Sequence, residues 1–561
     1  MITLGHEPAR SLELSEGATL AHKNRNRPHR AHTVPIPRTA LMSGALAAAL
    51  TVSFLHAPQA LAAPEDPRAQ ECEPVEEAPP KRQMRAEWIA GVENIDWPTE
   101  QGLSAEEQQA ELVELYDGAV DRGLNSVVVQ VRPTADAFWP SPHEPWSEWL
   151  TGEQGGDPGY DPLEFAVEEA HERNLEFHAW YNPYRVAMHD DPSRLVEDHP
   201  ARQNPEWTFS YGGQLYYDPG VPEAREFVTE AMMHSVENYD LDGVHFDDYF
   251  YPYPVEGEEI PDEETFAEHG EGFDDIADWR RDNVDTMVRE VSEAVNATKP
   301  HVKFGISPFG IWRNSDTDPA GSDTSGMQSY DEQYADSRKW VTEGWLDYIN
   351  PQIYWHIGLD VADYSVLVPW WEEVAATTDT HLYIGQGAYK VGEEEGPWTD
   401  DPGELSEHLN FNQDHPGVHG DIYFSATSLR TNAQEAFDIV QREHYAHPAL
   451  VPVDPDLGGE APTAPTVTGS EPVEGGLELD LAPAEGSDPT YYAVYAIEGA
   501  PEEGPVCGIE DARNLLGTVR AGEDGTATFT APDTEGEHTL YATALDRLHH
   551  ESGASEPQHL P

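Results

Sequence analysis

Residues 242–249 read DGVHFDDY, a run in which apolar and polar side chains alternate. Alternation marks a strand whose two faces meet different surroundings. Val244 and Phe246 share one face, so His245 and Asp247 share the other. A carboxylate inside a hydrophobic strand suits the end of a barrel strand, where parallel barrels gather their reactive groups. Asp248 points the opposite way unless the strand has already ended, in which case it reaches the same side from the loop.

Seven segments of the same kind flank this one. RAEWIAGV (85–92), LNSVVVQVRP (124–133) and EFHAWYNP (176–183) precede it, and VKFGISPFG (302–310), DYINPQIYW (347–355), LYIGQGAY (382–389) and GDIYFSA (420–426) follow. Between them lie amphipathic stretches such as SAEEQQAELVELYDGAVDRG and DIADWRRDNVDTMVREVSEAV, several opening on Ser, Asp or Pro as helix starts do. Eight strands alternating with helices over residues 84–447 predict an α/β fold, a (β/α)8 TIM barrel. The alternative is a doubly wound open sheet. Against it, no glycine-rich phosphate loop follows the first strand, and polar and aromatic residues crowd the strand ends.

Beyond the barrel, residues 448–465 form a Pro-rich linker, and 466–561 carry short alternating runs such as LELDLAP and YYAVYAIEG that predict a small all-β sandwich domain. Its ending, TLYATALDRLHHESGASEP, resembles the last strands of a fibronectin type III module. Since a linker separates two patterns of different period, truncation from Ala464 onward is expected to leave the barrel folded. Before the barrel, a basic stretch with Arg25, Arg27, Arg30 and Arg38 leads into the apolar run LMSGALAAALTVSFL and a small-residue segment. Residues 1–63 therefore read as a signal peptide region with an overlong basic n-region, cut near Ala63, and not as a membrane span. The acidic, Pro-rich segment 64–83 is expected to be disordered, and the protein to be secreted and associated with the cell wall.

Acidic residues outnumber basic ones 106 to 31 over 561 residues, a net charge of −75 spread along nearly the whole chain. Such a surface keeps a protein soluble in a salty medium and excludes nucleic acid and anionic lipid as partners. It also robs acidic clusters of meaning as calcium sites, the run Glu256, Glu258, Glu259, Asp262 included. Cys72 and Cys507 are the only cysteines and sit in no metal or redox motif, so no metal or cofactor is expected. In an exported protein the two could form one bridge.

The strand ends supply the candidate site. In strand two Gln130 and Arg132 share the inward face, and a buried Arg132 is expected to neutralise Asp247 and hold it ionised. The loop that follows offers Asp136. Strand three contributes His178, Trp180 and Asn182, then Tyr184 and Arg185; strand five runs into Trp312; strand six carries Gln352 and Tyr354 before Trp355; strand seven adds Gln386. Together with His245 these are the candidate substrate-binding residues. Aromatic rings beside amide and guanidinium groups suit a sugar, whose CH face stacks while its hydroxyls take directional hydrogen bonds.

The blocks RAEWIAGVENIDWP, VVVQVRPTADAFWPS, HAWYNPYR, GVHFDDYFYP, ISPFGIWRN, YADSRKW and YINPQIYW, in that order, resemble the glycosyl-hydrolase-like family ten over about residues 84–445. The resemblance implies a barrel of the bacterial envelope related to glycosidases, with cell-wall glycan as substrate class. The block around strand four is also similar to the nucleophile strand of several glycosidase families, whose Asp four positions after the Gly falls on Asp247. It departs from the chitinase motif, because Tyr249 stands where chitinases keep their catalytic Glu.

The function expected is a secreted glycoside hydrolase acting on polysaccharide or peptidoglycan glycan strands through a carboxylate pair. Asp247 is the nucleophile or base. The acid comes from Asp136, preferred because its loop follows an inward Arg, or from Asp248 or Asp336. The rival is a glycan-binding barrel without turnover, favoured by the lack of Asp or Glu at the ends of strands five to eight. A metal-dependent deacetylase fits the scattered His178, His245 and His356 poorly.

Overall fold

The eight segments close into a barrel in the computed structural model, which describes residues 78–392, 396–499, 506–533 and 536–560. Strands β1 (Met84–Ile89), β2 (Ser126–Arg132), β3 (Glu176–Tyr181), β4 (Gly243–Phe246), β5 (Lys303–Ile306), β6 (Tyr348–Ile349), β7 (His381–Gln386) and β8 (Val418–Tyr423) pair in sequence order, and β8 pairs back onto β1. All eight are parallel. The expected signal region 1–63 and residues 64–77 of the segment after it lie outside the described residues.

Two strands are shorter than their sequence pattern. β5 stops before Pro308 and β6 before Pro351, since proline has no N–H to give a ladder. Likewise β4 ends at Phe246, so Asp247 and Asp248 both belong to the loop beyond it. Several helices begin where a side chain can satisfy their first amides. Ser104 and Glu107 form a reciprocal capping box on the helix Ala105–Asp121, and Asp275 caps the helix Ile276–Thr298.

Strand alternation sorts the interior into two compartments. Val127, Val129, Phe177, Ala179, Val244, Phe246 and Phe304 face the helices in one apolar cluster. Trp88, Val128, Trp180, Tyr348, Tyr383 and Ile422 fill the shaft. Gly243 and Gly305 are dictated by space there. A Cβ at Gly243 would fall 2.4 Å from His178 Nδ1, and one at Gly305 2.2 Å from the Tyr348 ring.

Those two rings belong to a hydrogen-bonded chain along the shaft. The Trp88 indole can only donate, so His245 Nε2, 3.2 Å away, is an acceptor and the His245 proton sits on Nδ1. Nδ1–H donates to the Tyr348 hydroxyl (2.9 Å), which donates in turn to His178 Nδ1 (3.0 Å). The remaining His178 proton, on Nε2, goes to Glu176 (3.2 Å). Every tautomer is therefore set by its neighbour. Burial pushes Glu176 upward, but Lys303 at 2.7 Å, His178 and His549 hold it well below the usual carboxylate range. Burial also depresses His245, keeping it neutral.

The C-terminal region forms two antiparallel sheets, one of Thr466–Val473, Gly476–Ala482 and Ala527–Pro532, the other of Leu515–Arg520, Tyr491–Glu498, His538–Leu545 and Gln558–Leu560. Leu479, Leu481, Val494, Leu540 and Ala542 lie in a cluster shared by both. Cys507 is disulfide-bonded; the chain's other cysteine, Cys72, lies outside the described residues.

This region also reaches the barrel floor. His549 Nε2 lies 3.0 Å from Glu176, and Arg547 pairs with Asp240 and, at 3.0 Å, with Asp242. The linker does not keep the two regions apart, because charged floor residues take partners from beyond it. Truncation from Ala464 is expected to lower the melting midpoint of the barrel by at least about 2–4 °C in matched salt, the shift a lost kcal/mol gives a domain of this size. Equal midpoints would show that His549 and Arg547 contribute nothing to the floor.

Candidate active site

Past the ends of β3 and β4, two carboxyl groups sit side by side in the mouth of the barrel. Asp247 is buried and surrounded by donors: Trp180 Nε1 at 3.0 Å and Asn182 Nδ2 at 3.2 Å reach Oδ2, while the Tyr249 amide reaches Oδ1 at 3.1 Å. Trp180 and Asn182 stand two residues apart on the inward face of β3 and its continuation, beside β4, whose last residue precedes Asp247. Burial raises the Asp247 carboxyl, the Arg185 cation opposes this and the Asp248 charge adds to it, leaving it at about 6.

Asp248 has a different setting. Its carboxyl accepts from Gln352 Nε2 (3.1 Å) and from the Tyr253 hydroxyl, and its carbonyl accepts from Gln333 Nε2 (2.9 Å). Burial is again the largest influence and raises it. No cation comes within ion-pair distance of either carboxyl among the described residues. Asp247, with three N–H donors and a cation nearby, is the better anion, and Asp248, with uncharged partners, the better acid. Two carboxyls whose surroundings differ in this way can divide an acid–base task.

Aromatic rings rim the mouth. The Arg185 guanidinium lies 5.0 Å from the centroid of Tyr249, which is 36% exposed. On the other side Tyr389, 39% exposed, meets Tyr354 (5.9 Å) and Phe424 (6.1 Å) edge-on. Trp355 packs on Phe309 (5.3 Å), which in turn contacts Tyr253.

Several candidates are placed elsewhere. Arg132 does not reach Asp247: its Nε donates to Glu144 at 2.7 Å and its Nη1 to the carbonyls of Asn182 and Pro183. It braces the backbone of the loop that carries Asn182, and Arg185 is the cation beside Asp247. Asp136 is fully buried within its own loop, accepting from Thr134 N (3.2 Å) and Oγ1 (3.0 Å), and burial raises it to about 7. Asp336 caps the helix Ser337–Thr342 and accepts from Trp312 Nε1 (2.8 Å), whose ring stacks on Trp370. Neither acid touches Asp247.

His178 and His245 are shaft residues with both ring nitrogens engaged, which closes them to a ligand. Tyr184 is packed in the apolar layer under the helices. Gln386 likewise faces the helices, donating to Tyr364 (2.9 Å) and Asp421 (2.8 Å) and pairing with His408 (2.8 Å). Conversely, Tyr249, Tyr253, Tyr389 and Phe424 line the mouth although they were not candidates. Their one signal is position just after a strand end.

Residues 83–400 match the family described as Glycosyl hydrolase-like 10. The chain is 47% identical over 483 residues to Glycosyl hydrolase YngK of Bacillus subtilis (strain 168), a match covering 85% of this chain and 93% of that one. It is 41% identical over 380 residues to Glycosyl hydrolase DigH of Escherichia coli (strain K12), covering 64% of this chain and 86% of that one. Among solved structures it is similar to the PgaB (BpsB) glycoside hydrolase domain from Bordetella bronchiseptica, with a TM-score of 0.42 and 12% identity over 64% of this chain and 98% of that one. The family match runs from β1 past β7 and takes in both carboxyls of the mouth, and on that extent the chain belongs to the glycosyl hydrolase-like 10 family.

Proposed function

We propose that the protein hydrolyses glycosidic bonds of an extracellular glycan, of the bacterial cell-wall class, with Asp247 and Asp248 as its carboxylate pair. The observation that carries this reading is the pair itself: two buried, adjacent carboxyls in unlike surroundings at the mouth of a parallel barrel. The rim supports it. Of the five exposed large hydrophobic residues among those described, Ile95, Tyr249, Val255 and Tyr389 lie on loops that follow barrel strands, where a sugar ring would stack. The cell-wall class and secretion rest on the family resemblance and the signal-like N-terminal stretch. The C-terminal sheets, read as a fibronectin type III-like module, act as a spacer and as the floor of the barrel.

In this mechanism Asp247 supplies the negative charge beneath the anomeric carbon and Asp248 protonates the leaving oxygen. Asp248 replaces Asp136 in that role because Asp136 is sealed inside its loop. New reducing ends released from purified glycan strands test the reaction, and binding without them would favour a barrel that only holds glycan. Asp248→Asn should slow substrates with poor leaving groups about 10²–10⁴-fold, the usual worth of general acid catalysis, and spare activated aryl glycosides. Equal loss on both kinds of substrate removes Asp248 from the acid's role. The pH dependence follows from Asp247. Its working form is the anion and its pKa is about 6, so kcat/KM should climb as pH rises through 6. An ascending limb near 4 would place the essential anion elsewhere.

A further inference from the structure

We infer that the Arg185 guanidinium binds a carboxylate carried by the substrate, so that the glycan taken into the mouth contains an acidic sugar. This rests on the glycan reading above and sharpens its substrate class.

Arg185 is held firmly. Its backbone amide donates to Asn182 Oδ1 (2.9 Å), and its Nε (3.3 Å) and Nη2 (3.2 Å) both donate to the carbonyl of Pro133 at the end of β2. The side chain is 5% exposed, and Tyr249 covers its plane. One edge of the fork is therefore spent on a single carbonyl, while the end edge, formed by Nη1 and the second Nη2 hydrogen, makes no hydrogen bond within the described residues. That end edge is one of the two that grip a carboxylate through parallel bonds.

The electrostatics set Arg185 apart from buried guanidinium groups of the chain that carry an acid of their own. A buried guanidinium ordinarily keeps a carboxylate of its own, because an unpaired buried charge is costly. Arg132 has Glu144 and Arg280 has Asp262; Arg85, which has no acid, lies under the Tyr445 ring away from the two mouth carboxyls and gives its donors to Gln83 and the His447 carbonyl. No carboxylate among the described residues lies within ion-pair distance of Arg185, although acids outnumber bases 106 to 31. Partners are abundant, yet this cation, beside Asp247 and under the Tyr249 ring, has none. Asp247 feels it through space but is committed to Trp180, Asn182 and Tyr249. An anion arriving with the ligand would complete the pair.

The negative surface does not forbid such a ligand. Repulsion from exposed carboxylates is screened within ~8 Å at physiological salt and ~3 Å at 1 M, whereas a contact to a buried guanidinium is not. The carboxylate could be a lactyl ether acid, as on the muramic-type sugar of wall glycan, or a uronic acid.

The test is calorimetric binding to the full chain of three oligosaccharides: a wall-type repeat with free lactyl carboxylates, the same repeat with those carboxylates reduced to alcohols, and a uronic acid oligosaccharide. Wild type should prefer an acidic ligand to its alcohol by about 10- to 100-fold, the range expected for a charge-assisted bidentate contact. Arg185→Gln should bring that ratio close to one, and Arg185→Lys should retain part of it. Discrimination confined to the uronic ligand assigns the carboxylate to that source. Equal wild-type affinity for acid and alcohol, no binding of any of the three, or a ratio unchanged in both variants overturns the proposal. Discrimination without any release of reducing ends would keep Arg185 as a carboxylate reader while rejecting the hydrolase.

Discussion

Asp247→Asn is expected to lower turnover at least about 10³-fold while leaving the protein folded, the scale of loss seen when a charged member of a catalytic group is removed. An amide can neither attack an anomeric carbon nor stabilise the positive charge that develops there. The substitution also has a structural cost. Asp247 is an acceptor to all its neighbours, and an asparagine must turn its NH₂ either toward Trp180 and Asn182 or toward the Tyr249 amide, opposing one donor with another. Stability should therefore fall by about 1–3 kcal/mol. Turnover must be compared well below the melting midpoint so that the two effects separate. Near-normal rates in the folded variant would show that the reaction uses a different anion.

Glu176→Ala should give the largest loss of stability. The substitution strands the Lys303 ammonium, which is 2% exposed and bonded to Glu176 at 2.7 and 2.9 Å, in the barrel floor, and breaking a buried pair from one side costs about 3–5 kcal/mol. His178 and His549 lose an acceptor in the same step. Pairing Glu176→Ala with Lys303→Met should restore much of the loss, since an apolar replacement for both charges leaves nothing unpaired. Urea denaturation at fixed salt measures all three proteins. A single variant within 1 kcal/mol of wild type would mean that water already reaches the floor.

The barrel was legible in the sequence because its two compartments differ chemically. The shaft mixes hydrogen-bonding groups with rings while the helix layer is apolar, so even fully buried strands alternate. The sequence pattern runs past the ends of β5 and β6, where Pro308 and Pro351 interrupt the ladder. The same alternation correctly turned His245 and Asp247 inward, and it also held the correction for Gln386, which shares parity with the apolar Leu382 and Ile384 and so faces the helices. What alternation lacks is depth along the shaft. His178 and His245 point inward but lie below the mouth, where the Tyr348 ring fills the space a ligand would need. Nor does it reveal partners, and Arg132 found Glu144, on a loop 12 residues further along, before it could reach Asp247. Asp248 was left open by the sequence because its direction depends on where β4 stops, a backbone event that the residues DDY do not announce.

The proton order in the shaft has a consequence for how this barrel can change over time. From Trp88 to Glu176 each group donates downward only because the group above leaves it no alternative. Replacing one link therefore reverses or empties its neighbours' bonds, and a substitution tolerated beside one set of partners fails beside another. The shaft residues should show strong epistasis: reversions at single positions cripple, while exchanges of adjoining links made together succeed. Relatives that differ at Tyr348 should then differ at His178 or His245 as well, and the shaft should be inherited as a block.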